Sequence, residues 1–389
     1  MSDIFQIEEQ YQLKTYKKFP IAIKKGEDVW VYTSEGKKYL DLYGGHAVVS
    51  TGHCHPKVVA AIKEQASNLL FYSNFVYNES RATAAKKLVD ISPDGFSQAF
   101  FINTGAESNE NAIKLARKFS GKPGIISFEG SFHGRTIGAL SATGITKYRE
   151  AFSPRISDHH FATFDDLASV EAIMEKEDIG GILVETIQRM AGAKTASPEF
   201  FQGLRALCDK HNAVLIYDEV QTGFGRTGEF FFAPRYGVTP DLITLAKGIA
   251  SGVPMAALMV HDRYTEQVGY GDLGTTFGGS PLASAALSAT IDTIIEEKLL
   301  ENVKTESAYL REQLSGLSHV EEILGEGFLV GIRFQQASSV YHKKLMENHI
   351  ITGGSGDPNI MRLLPPLTLK RPEIDHFLEV LSKIIKELS

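Results

Sequence analysis

The 389-residue sequence predicts an α/β fold, with a mostly parallel central sheet in a large domain and a smaller α+β domain. Two observations predict it. From about residue 98 to 260, short apolar runs alternate with helical patterns, which is typical of a parallel sheet covered by helices on both faces. After that stretch the pattern changes to helices, a few strands and a glycine-rich loop at 352–356. We expect residues 1–50 to contribute to the small domain, 51–280 to form the large domain and 281–389 to complete the small one.

The first predicted element is a β-hairpin, because apolar-rich runs at 29–32 and 38–42 flank the polar turn 34–37. Five apolar runs in the middle of the chain are strand candidates: 99–102, 124–128, 181–185, 213–220 and 242–246. A helix is predicted after Pro372, with one apolar face formed by Ile374, Phe377, Leu378, Leu381, Ile384, Ile385 and Leu388. That face predicts core packing.

Composition and charge exclude several kinds of protein. The chain has 40 Lys and Arg against 47 Asp and Glu, so broad nucleic-acid binding, which needs basic surfaces, is not expected. No cationic segment leads into an apolar one at the N-terminus, and no apolar stretch is long enough to span a bilayer. We therefore expect neither a signal peptide nor membrane association. Two cysteines, Cys54 and Cys208, give no disulfide framework and suit a reducing cytoplasm.

Lys247 is the most informative single residue. It follows the apolar run 242–246 and precedes a glycine, and a partly buried amine of lowered pKa is a good nucleophile towards an aldehyde. The strand candidate 213–220 contains Asp218 where apolar residues would otherwise continue. A lysine that binds an aldehyde and a carboxylate for a pyridinium nitrogen are what pyridoxal phosphate chemistry requires. The sequence therefore predicts this cofactor.

Two glycine-containing segments are candidates for the phosphate group. In 103–110 a strand leads into a helix start, where Thr104 and Glu107 have capping-box spacing. The free N–H groups of such a helix start bind phosphate, although an ordinary helix cap explains the segment equally well. The second candidate, 274–279, offers threonine hydroxyls and backbone amides to the same phosphate.

Two other motifs resemble functional sites but have simpler explanations. The stretch 223–228 matches the dinucleotide pattern G-x-G-x-x-G after a strand, yet no amphipathic helix follows and the acid expected about twenty residues later is missing. His53 and His55 flank Cys54, but no second cluster of ligands is visible. A turn before a helix at Pro56 explains them better. We therefore expect neither a nicotinamide enzyme nor a metal site.

Eight blocks, in order along nearly the whole chain, resemble the class III (ω-type) aminotransferases of pyridoxal phosphate fold type I. They lie at 44–48, 52–56, 103–110, 132–136, 218–223, 247–248, 276–279 and 361–366. Each block is short, but together and at this spacing they are specific for the family. The resemblance implies that residues 51–280 bind pyridoxal phosphate and that two chains form a homodimer with shared active sites.

The resemblance also assigns the cofactor contacts. They are Lys247 as the covalent anchor and proton carrier, Asp218 at the ring nitrogen, Gln221 at the phenolic oxygen, Val220 and Phe132 on the two ring faces, Gly105 and Ala106 at the phosphate, and Thr276 at the phosphate of the partner subunit. Glu185 matches a family acid near the cofactor.

Substrate recognition needs cations, because glutamate and N-acylated ornithine both carry an α-carboxylate and a guanidinium binds a carboxylate through two parallel hydrogen bonds. The resemblance implies that Arg362, nearer the cofactor, binds the α-carboxylate of glutamate. Arg135, further out, is implied to bind the glutamate side chain or the α-carboxylate of the ω-amino substrate. Tyr16 falls where relatives place a carboxylate-binding tyrosine.

One segment departs from the family pattern. Relatives commonly read E-P-x-Q-G-E-G-G where this chain has residues 185–192, so Met190 replaces the second acid and Arg189 replaces a glycine. In relatives that acid masks the inner arginine when an ω-amino substrate binds. We expect the more positive pocket, with Arg189 as a substrate contact, to favour an N-acyl group that carries a carboxylate of its own, such as succinyl.

The expected reaction is reversible transfer of an amino group between N-acetylornithine, or another N-acylornithine, and 2-oxoglutarate, with glutamate as the other amino compound, in arginine biosynthesis. The alternatives are ω-transamination of N-succinylornithine, ornithine, lysine or 4-aminobutyrate. A further alternative is a non-catalytic binding protein of the same fold. Only the outer pocket separates the enzymes from one another, because one cofactor site serves them all.

Overall fold

The structure is a computed structural model that describes residues 2–152 and 154–389. Its strands are β1 (Ile23–Glu27), β2 (Trp30–Thr33), β3 (Lys38–Asp41), β4 (Gln98–Ile102), β5 (Gly124–Phe128), β6 (His159–Ala162), β7 (Ile179–Glu185), β8 (Val214–Asp218), β9 (Leu242–Leu245), β10 (Ala256–Val260), β11 (Val320–Glu326), β12 (Leu329–Phe334), β13 (Ile350–Ile351), β14 (Gly353–Gly354) and β15 (Ile360–Leu363).

The helices begin with one at the N-terminus and end with a long amphipathic one. They are α1 (Ser2–Tyr11), α2 (Gly44–Ala47), α3 (Pro56–Asn68), α4 (Glu79–Asp90), α5 (Gly105–Ser120), α6 (Ile137–Ser141), α7 (Thr146–Arg149), α8 (Leu167–Met174), α9 (Pro198–His211), α10 (Asp262–Thr265), α11 (Pro281–Glu296), α12 (Leu299–Ser315), α13 (Ser338–Glu347) and α14 (Arg371–Leu388). Short 3-10 helices cover Ala233–Tyr236 and Lys247–Ala250. Within the described ranges, the helices are too short or too polar to cross a lipid bilayer.

A seven-stranded sheet forms the centre of the molecule, in the order β4-β10-β9-β8-β7-β5-β6. The pairs β5–β6, β5–β7, β7–β8 and β8–β9 are parallel, whereas β10 runs antiparallel to both β9 and β4. Apart from β10, all strands therefore end at the same edge. The predicted, mostly parallel sheet is confirmed, as are the five predicted strands within it, while β6 and β10 were not predicted.

Both faces of this sheet are covered, because alternate residues of a strand point to opposite sides. In β8, Val214 and Ile216 pack in one apolar cluster together with residues of α5, whereas Leu215 and Tyr217 pack in another with Phe200 and other residues of α9. Every residue of β7, β8, β9 and β10 is buried. This two-sided burial explains why these strands are apolar throughout and do not alternate.

Two smaller sheets join distant parts of the chain. In one, the predicted hairpin β2–β3 forms with β1, and β13 adds to β3 in parallel. The other has the order β11-β12-β15-β14 and is antiparallel throughout. The N-terminal strands thus share a sheet with a C-terminal one, as expected if residues 1–50 contribute to the small domain. The boundaries at 50 and 280 stay predictions, and α11 packs on α3 and α4, next to the large sheet.

The predicted C-terminal helix is confirmed as α14, which packs on α12 and α13. Six of the seven predicted apolar residues are buried and Leu388 packs against the same core. A fully buried side chain of this size contributes roughly 1.5–3 kcal/mol, so the face anchors the end of the chain firmly.

Candidate active site

Most of the predicted site residues come together at the carboxyl edge of the central sheet. Glu185 ends β7, Asp218 ends β8, and Lys247 lies just beyond β9. A cavity of about 710 Å³ opens there, between the start of α5, the segment 132–136 and the segment 246–255. Ligands of α/β proteins bind beyond the carboxyl ends of the strands, so this cavity is the candidate active site.

Lys247 lies at the base of the cavity with its backbone in the left-handed region, at φ 49°. Burial lowers the pKa of its amine well below the usual value, and the Arg189 cation lowers it further. The carboxylates of Asp218 and Glu185 oppose this shift without cancelling it. The amine therefore loses its proton more readily than that of an exposed lysine, which favours its nucleophilic form.

Asp218 is held by several hydrogen bonds. Its Oδ2 accepts from Asn109 Nδ2 at 2.9 Å and from His133 Nδ1 at 2.8 Å, and its Oδ1 accepts from the backbone N–H of Val220 at 3.1 Å. Burial by itself raises the pKa of a carboxyl group. The Arg189 cation and the hydrogen bond from His133 outweigh burial, so the pKa of Asp218 is lowered to about 2. The group is an ionised carboxylate, as a ring nitrogen requires.

The phosphate end of the site is the start of α5. The predicted capping box is confirmed, since Thr104 Oγ1 accepts from the Glu107 N–H while the Glu107 carboxylate accepts from the Thr104 N–H. The N–H groups of Gly105 and Ala106 follow at the first helical positions, which lack acceptors within the helix. A Cβ at Gly105 would lie 2.8 Å from Val220 Cγ1. The helix start therefore packs closely against Val220.

These residues fit pyridoxal phosphate. Phe132 and Val220 both line the cavity, as two ring faces require, and the Lys247 amine lies between the strand ends. Gln221 is buried, and its Oε1 has no hydrogen-bond partner among the described residues. The cofactor needs a carboxylate for its ring nitrogen, an amine for its aldehyde, apolar side chains for its ring faces and a helix N-terminus for its phosphate. The site contains all four.

Arg189, predicted as a substrate contact, lines the cavity and contacts the two acids in its floor. Its Nη1 lies 2.5 Å from Glu185 Oε1 and 3.8 Å from Asp218 Oδ1, and its Nη2 donates to the carbonyl of Phe132. The Glu185 contact is an ion pair by distance, without the directionality of a hydrogen bond. Glu185 Oε2 accepts from the Phe132 N–H at 2.9 Å. Arg189 thus faces the predicted cofactor position.

Arg362 is buried next to this cluster. Its guanidinium donates to the carbonyls of Gly354 and Arg189 at 2.6 and 3.2 Å, and to the Tyr43 hydroxyl at 3.0 Å. Among the described residues no carboxylate lies within 4 Å of it, and Met190 occupies the position of the acid expected from relatives. Burial lowers the pKa of Arg362. A buried cation with only neutral acceptors is well suited to bind an incoming carboxylate.

The remaining predicted contacts are exposed. Arg135 and Tyr16 both line the cavity, and the Arg135 guanidinium lies 3.6 Å from the ring centroid of Tyr148. The Tyr16 side chain is 80% exposed. Thr276 is exposed and lies away from the cavity of its own chain, so within one chain it does not meet the other predicted phosphate contacts.

The motifs set aside in the sequence have structural roles. The 223–228 stretch is a turn without a following amphipathic helix, and His53 Nε2 lies 2.8 Å from Asp41 Oδ2 ahead of α3. Among the described residues no group of three or more potential metal ligands comes together.

Sequence reasoning missed Asn109, His133, Tyr43 and Glu219. Asn109, His133 and Glu219 lie inside the blocks 103–110, 132–136 and 218–223, so membership of those blocks was their only signal in the sequence. Glu219 is a second buried carboxylate, whose oxygens accept from the N–H groups of Phe232 and Ala233 at 2.6 and 2.8 Å.

Known proteins share this sequence and fold. The family model described as Aminotransferase class-III matches residues 11–385. The chain is 40% identical over 388 residues to an acetylornithine aminotransferase of Methanopyrus kandleri, with 99% of each chain covered. The solved ornithine aminotransferase of Toxoplasma gondii ME49 gives a TM-score of 0.93 at 29% identity, covering 100% of this chain and 95% of that one. The acetylornithine aminotransferase of Elizabethkingia anophelis gives 0.86 at 30%, with 99% of both chains covered. These matches confirm the predicted resemblance and fold class.

Proposed function

Because this chain belongs to the class-III aminotransferase family and is a pyridoxal phosphate-dependent aminotransferase, we propose that it transfers an amino group between N-acetylornithine and 2-oxoglutarate in arginine biosynthesis. The observation that carries the proposal is the pair of arginines around Lys247. Arg362 is buried and close enough to lower the pKa of the Lys247 amine, and Arg135 lines the cavity that contains Lys247. Relatives named for acetylornithine, about 40% identical over nearly the whole chain, support this substrate.

When bound, pyridoxal phosphate takes up the amino group and stabilises the electron pair left when the neighbouring C–H bond loses its proton. Lys247 Nζ would hold the cofactor covalently and would move the proton at the reacting carbon. Asp218 stays ionised and keeps the ring nitrogen protonated. The N–H groups of Gly105 and Ala106 hold the phosphate, and Gln221 contacts the phenolic oxygen. Holding the reacting carbon at a fixed angle to the ring is worth several kcal/mol of the barrier.

The arginines divide the substrate carboxylates between them. Arg362 takes the α-carboxylate of glutamate, because it is the inner cation. Arg135 takes the glutamate side chain, or the α-carboxylate of the N-acylornithine whose terminal amine reaches Lys247. Tyr16 contributes its hydroxyl at the mouth of the cavity. The Arg135 guanidinium rests on Tyr148 at 3.6 Å, where it is free to bind an anion.

A second candidate is N-succinylornithine. It is favoured by one observation, which is that Arg362 lacks a carboxylate partner among the described residues while Met190 replaces the acid. A site without that acid keeps its positive charge when the ω-amino substrate binds, so an acyl group with its own carboxylate gains from it. Comparing kcat/KM for N-acetyl- and N-succinylornithine decides between the two.

We further propose that the enzyme is a cytoplasmic homodimer. The segment 69–77 exposes several large apolar side chains, among them Phe75 at 98%. Phe277, next to Thr276, packs against Phe71 with the two rings tilted by 50° and their centroids 5.2 Å apart. Continuous exposed apolar surface of this kind is typical of protein interfaces. A partner that covers it would bring its Thr276 to the phosphate of the first chain. Cys54 and Cys208, both free thiols, are compatible with a reducing compartment.

The test is a panel of amino donors with 2-oxoglutarate, combined with spectroscopy. We expect N-acetylornithine to be the best ω-amino donor, and glutamate to remove the visible absorption of the bound cofactor. Lys247→Ala should abolish both the transfer of amino groups from the donors and the loss of visible absorption on addition of glutamate. Lys298→Ala is the matched control, because Lys298 shares the left-handed backbone (φ 54°) but is exposed ahead of α12. Turnover of Lys247→Ala at the wild-type rate would refute the assigned chemistry.

A further inference from the structure

Two acids lie side by side in the buried floor of the site. Glu185 and Asp218 are paired in register at the ends of the neighbouring parallel strands β7 and β8. Their side chains are almost completely buried, at 1% and 2% exposure. Two like charges at such positions cannot both stay ionised without a compensating cation. The surroundings therefore have to supply positive charge or a proton.

Arg189 supplies that charge. Its Nη1 reaches both acids, at 2.5 Å from Glu185 Oε1 and 3.8 Å from Asp218 Oδ1. Its guanidinium carbon lies 5.4 Å from the ring centroid of Phe132, the residue assigned to one face of the cofactor. Arg189 itself is only 5% exposed. The polar contacts of its side chain are with Glu185, Asp218 and the carbonyl of Phe132, all residues of the cofactor subsite.

The oxygen of Asp218 that faces Arg189 is also the one left for the ring. Oδ2 already accepts from Asn109 and His133, whereas Oδ1 accepts only from the backbone N–H of Val220. A pyridinium nitrogen that pairs with Asp218 therefore uses Oδ1 and shares it with Arg189. The arginine cation then lies close to the protonated ring.

We propose that Arg189 is a positioning residue of the cofactor subsite, which balances the charges of Glu185 and Asp218 and competes with the ring nitrogen for Asp218 Oδ1. This inference rests on the proposed cofactor contacts. It replaces the expectation that Arg189 contacts the substrate.

The proposal gives a signed expectation for the linkage between Lys247 and the cofactor. A nearby cation disfavours the protonated linkage, so Arg189→Gln should raise the pH midpoint of its spectral titration. Glu185→Gln removes an anion and should lower the midpoint. A unit charge a few ångströms away shifts such a midpoint by about one to three pH units. The other charged or titratable groups close to Lys247 and Asp218 are His46, His133, Glu219 and Arg362, and they are unchanged in these variants.

The experiment titrates the visible absorption of the holoenzyme between acid and alkaline pH for wild type, Arg189→Gln, Glu185→Gln and the double variant. The double variant should return towards the wild-type midpoint, because it removes one charge of each sign. Arg189→Lys keeps the charge and should stay nearer to wild type than Arg189→Gln. If Arg189→Gln does not fold, the midpoint of Arg189→Lys is compared with that of wild type instead. Arg135→Gln, which removes an exposed cation from the same cavity, is the control and should shift the midpoint far less.

Identical midpoints in wild type, Arg189→Gln and Arg189→Lys would overturn the proposal. So would a selective loss of kcat/KM for N-succinylornithine in Arg189→Gln with no spectral shift, since that would place Arg189 in the substrate pocket. Failure of the proposed function looks different, because N-acetylornithine would then not be the best ω-amino donor for the wild-type protein, whatever the spectral midpoints of the variants.

Discussion

Close packing between the start of α5 and Val220 is testable by adding one methyl group. An alanine Cβ at Gly105 would lie 2.8 Å from Val220 Cγ1 and 3.0 Å from Cγ2, where carbon atoms in contact are normally about 3.5–4.0 Å apart. The valine side chain must therefore move by about 0.5–1 Å, which changes the surface that Val220 is proposed to offer to the cofactor ring. We expect Gly105→Ala to weaken binding of pyridoxal phosphate to the apoprotein about tenfold.

The same clash has a stability cost. Overpacking of this kind lowers the free energy of unfolding by roughly 1–3 kcal/mol. The reduced backbone freedom of alanine in the unfolded chain offsets less than about 1 kcal/mol of this loss. Val220→Ala alone removes two methyl groups, worth about 0.8 kcal/mol each before any cavity is counted. In the double variant the new methyl group occupies space that the valine has left. The loss of stability of the double variant should therefore be smaller than the sum of the losses of the two single variants by about 1–2 kcal/mol.

Urea denaturation of the apoproteins measures the stabilities, and fluorescence titration with pyridoxal phosphate measures the affinities. Gly316→Ala is the matched control, because a Cβ there meets only Gln313 O, at an ordinary 3.5 Å. Its stability should change by less than about 0.5 kcal/mol. Additive losses in the Gly105→Ala/Val220→Ala variant would refute the steric argument.

Three further predictions concern carboxylates. Burial raises the pKa of Glu219 from 4.5 to about 7, so the folded state binds the proton more tightly, and this contribution to stability is complete below pH 4.5 and is lost as pH rises through 7. In wild type this contribution changes the free energy of unfolding by about 3 kcal/mol between pH 4.5 and 7, and Glu219→Gln should remove that change, as measured by denaturation at several pH values. The same dependence of the free energy of unfolding on pH in wild type and variant would contradict this. Asp218→Asn should weaken cofactor binding about 10–100-fold in equilibrium dialysis, because a neutral amide does not hold a protonated ring nitrogen, and unchanged affinity would remove Asp218 from the site. Met190→Glu should raise KM for glutamate about tenfold by pairing with Arg362, and an unchanged KM would show that this position does not control the inner arginine.

Much of the fold could be predicted because the central strands are buried on both sides. Runs such as 181–185 and 242–246 have no reason to be uniformly apolar unless helices cover both faces of the sheet. The antiparallel strand β10 gave no such signal of its direction, since Ala256–Val260 is as apolar as its parallel neighbours. Strand direction is set by the connection to β9, which is a short loop that contains Lys247 and no crossover helix.

The candidate site was predicted less evenly. Lys247 and Asp218 are visible in the sequence because a charged residue at the end of an apolar run is costly unless it has a use. Asn109 and His133 do not stand out in this way in the sequence. They nevertheless donate hydrogen bonds to Asp218, which is 109 and 85 positions away in the chain. The direction of the Arg189 side chain was equally hidden. It depends on the register that places Glu185 beside Asp218, which no local pattern reveals.

The parallel pairing of β3 with β13 has a consequence for how the protein is made. Leu40 lies opposite Ile350, so the sheet that contains the first hairpin is completed only when nearly the whole chain has left the ribosome. Chains emerge at roughly 5–20 residues per second, and the exposed edge of β3 is a ready template for pairing with another strand until then. A truncated chain that ends before β13 should therefore show this open edge as aggregation during synthesis, whereas a circular permutant that joins the termini and begins at an exposed loop could translate both strands together.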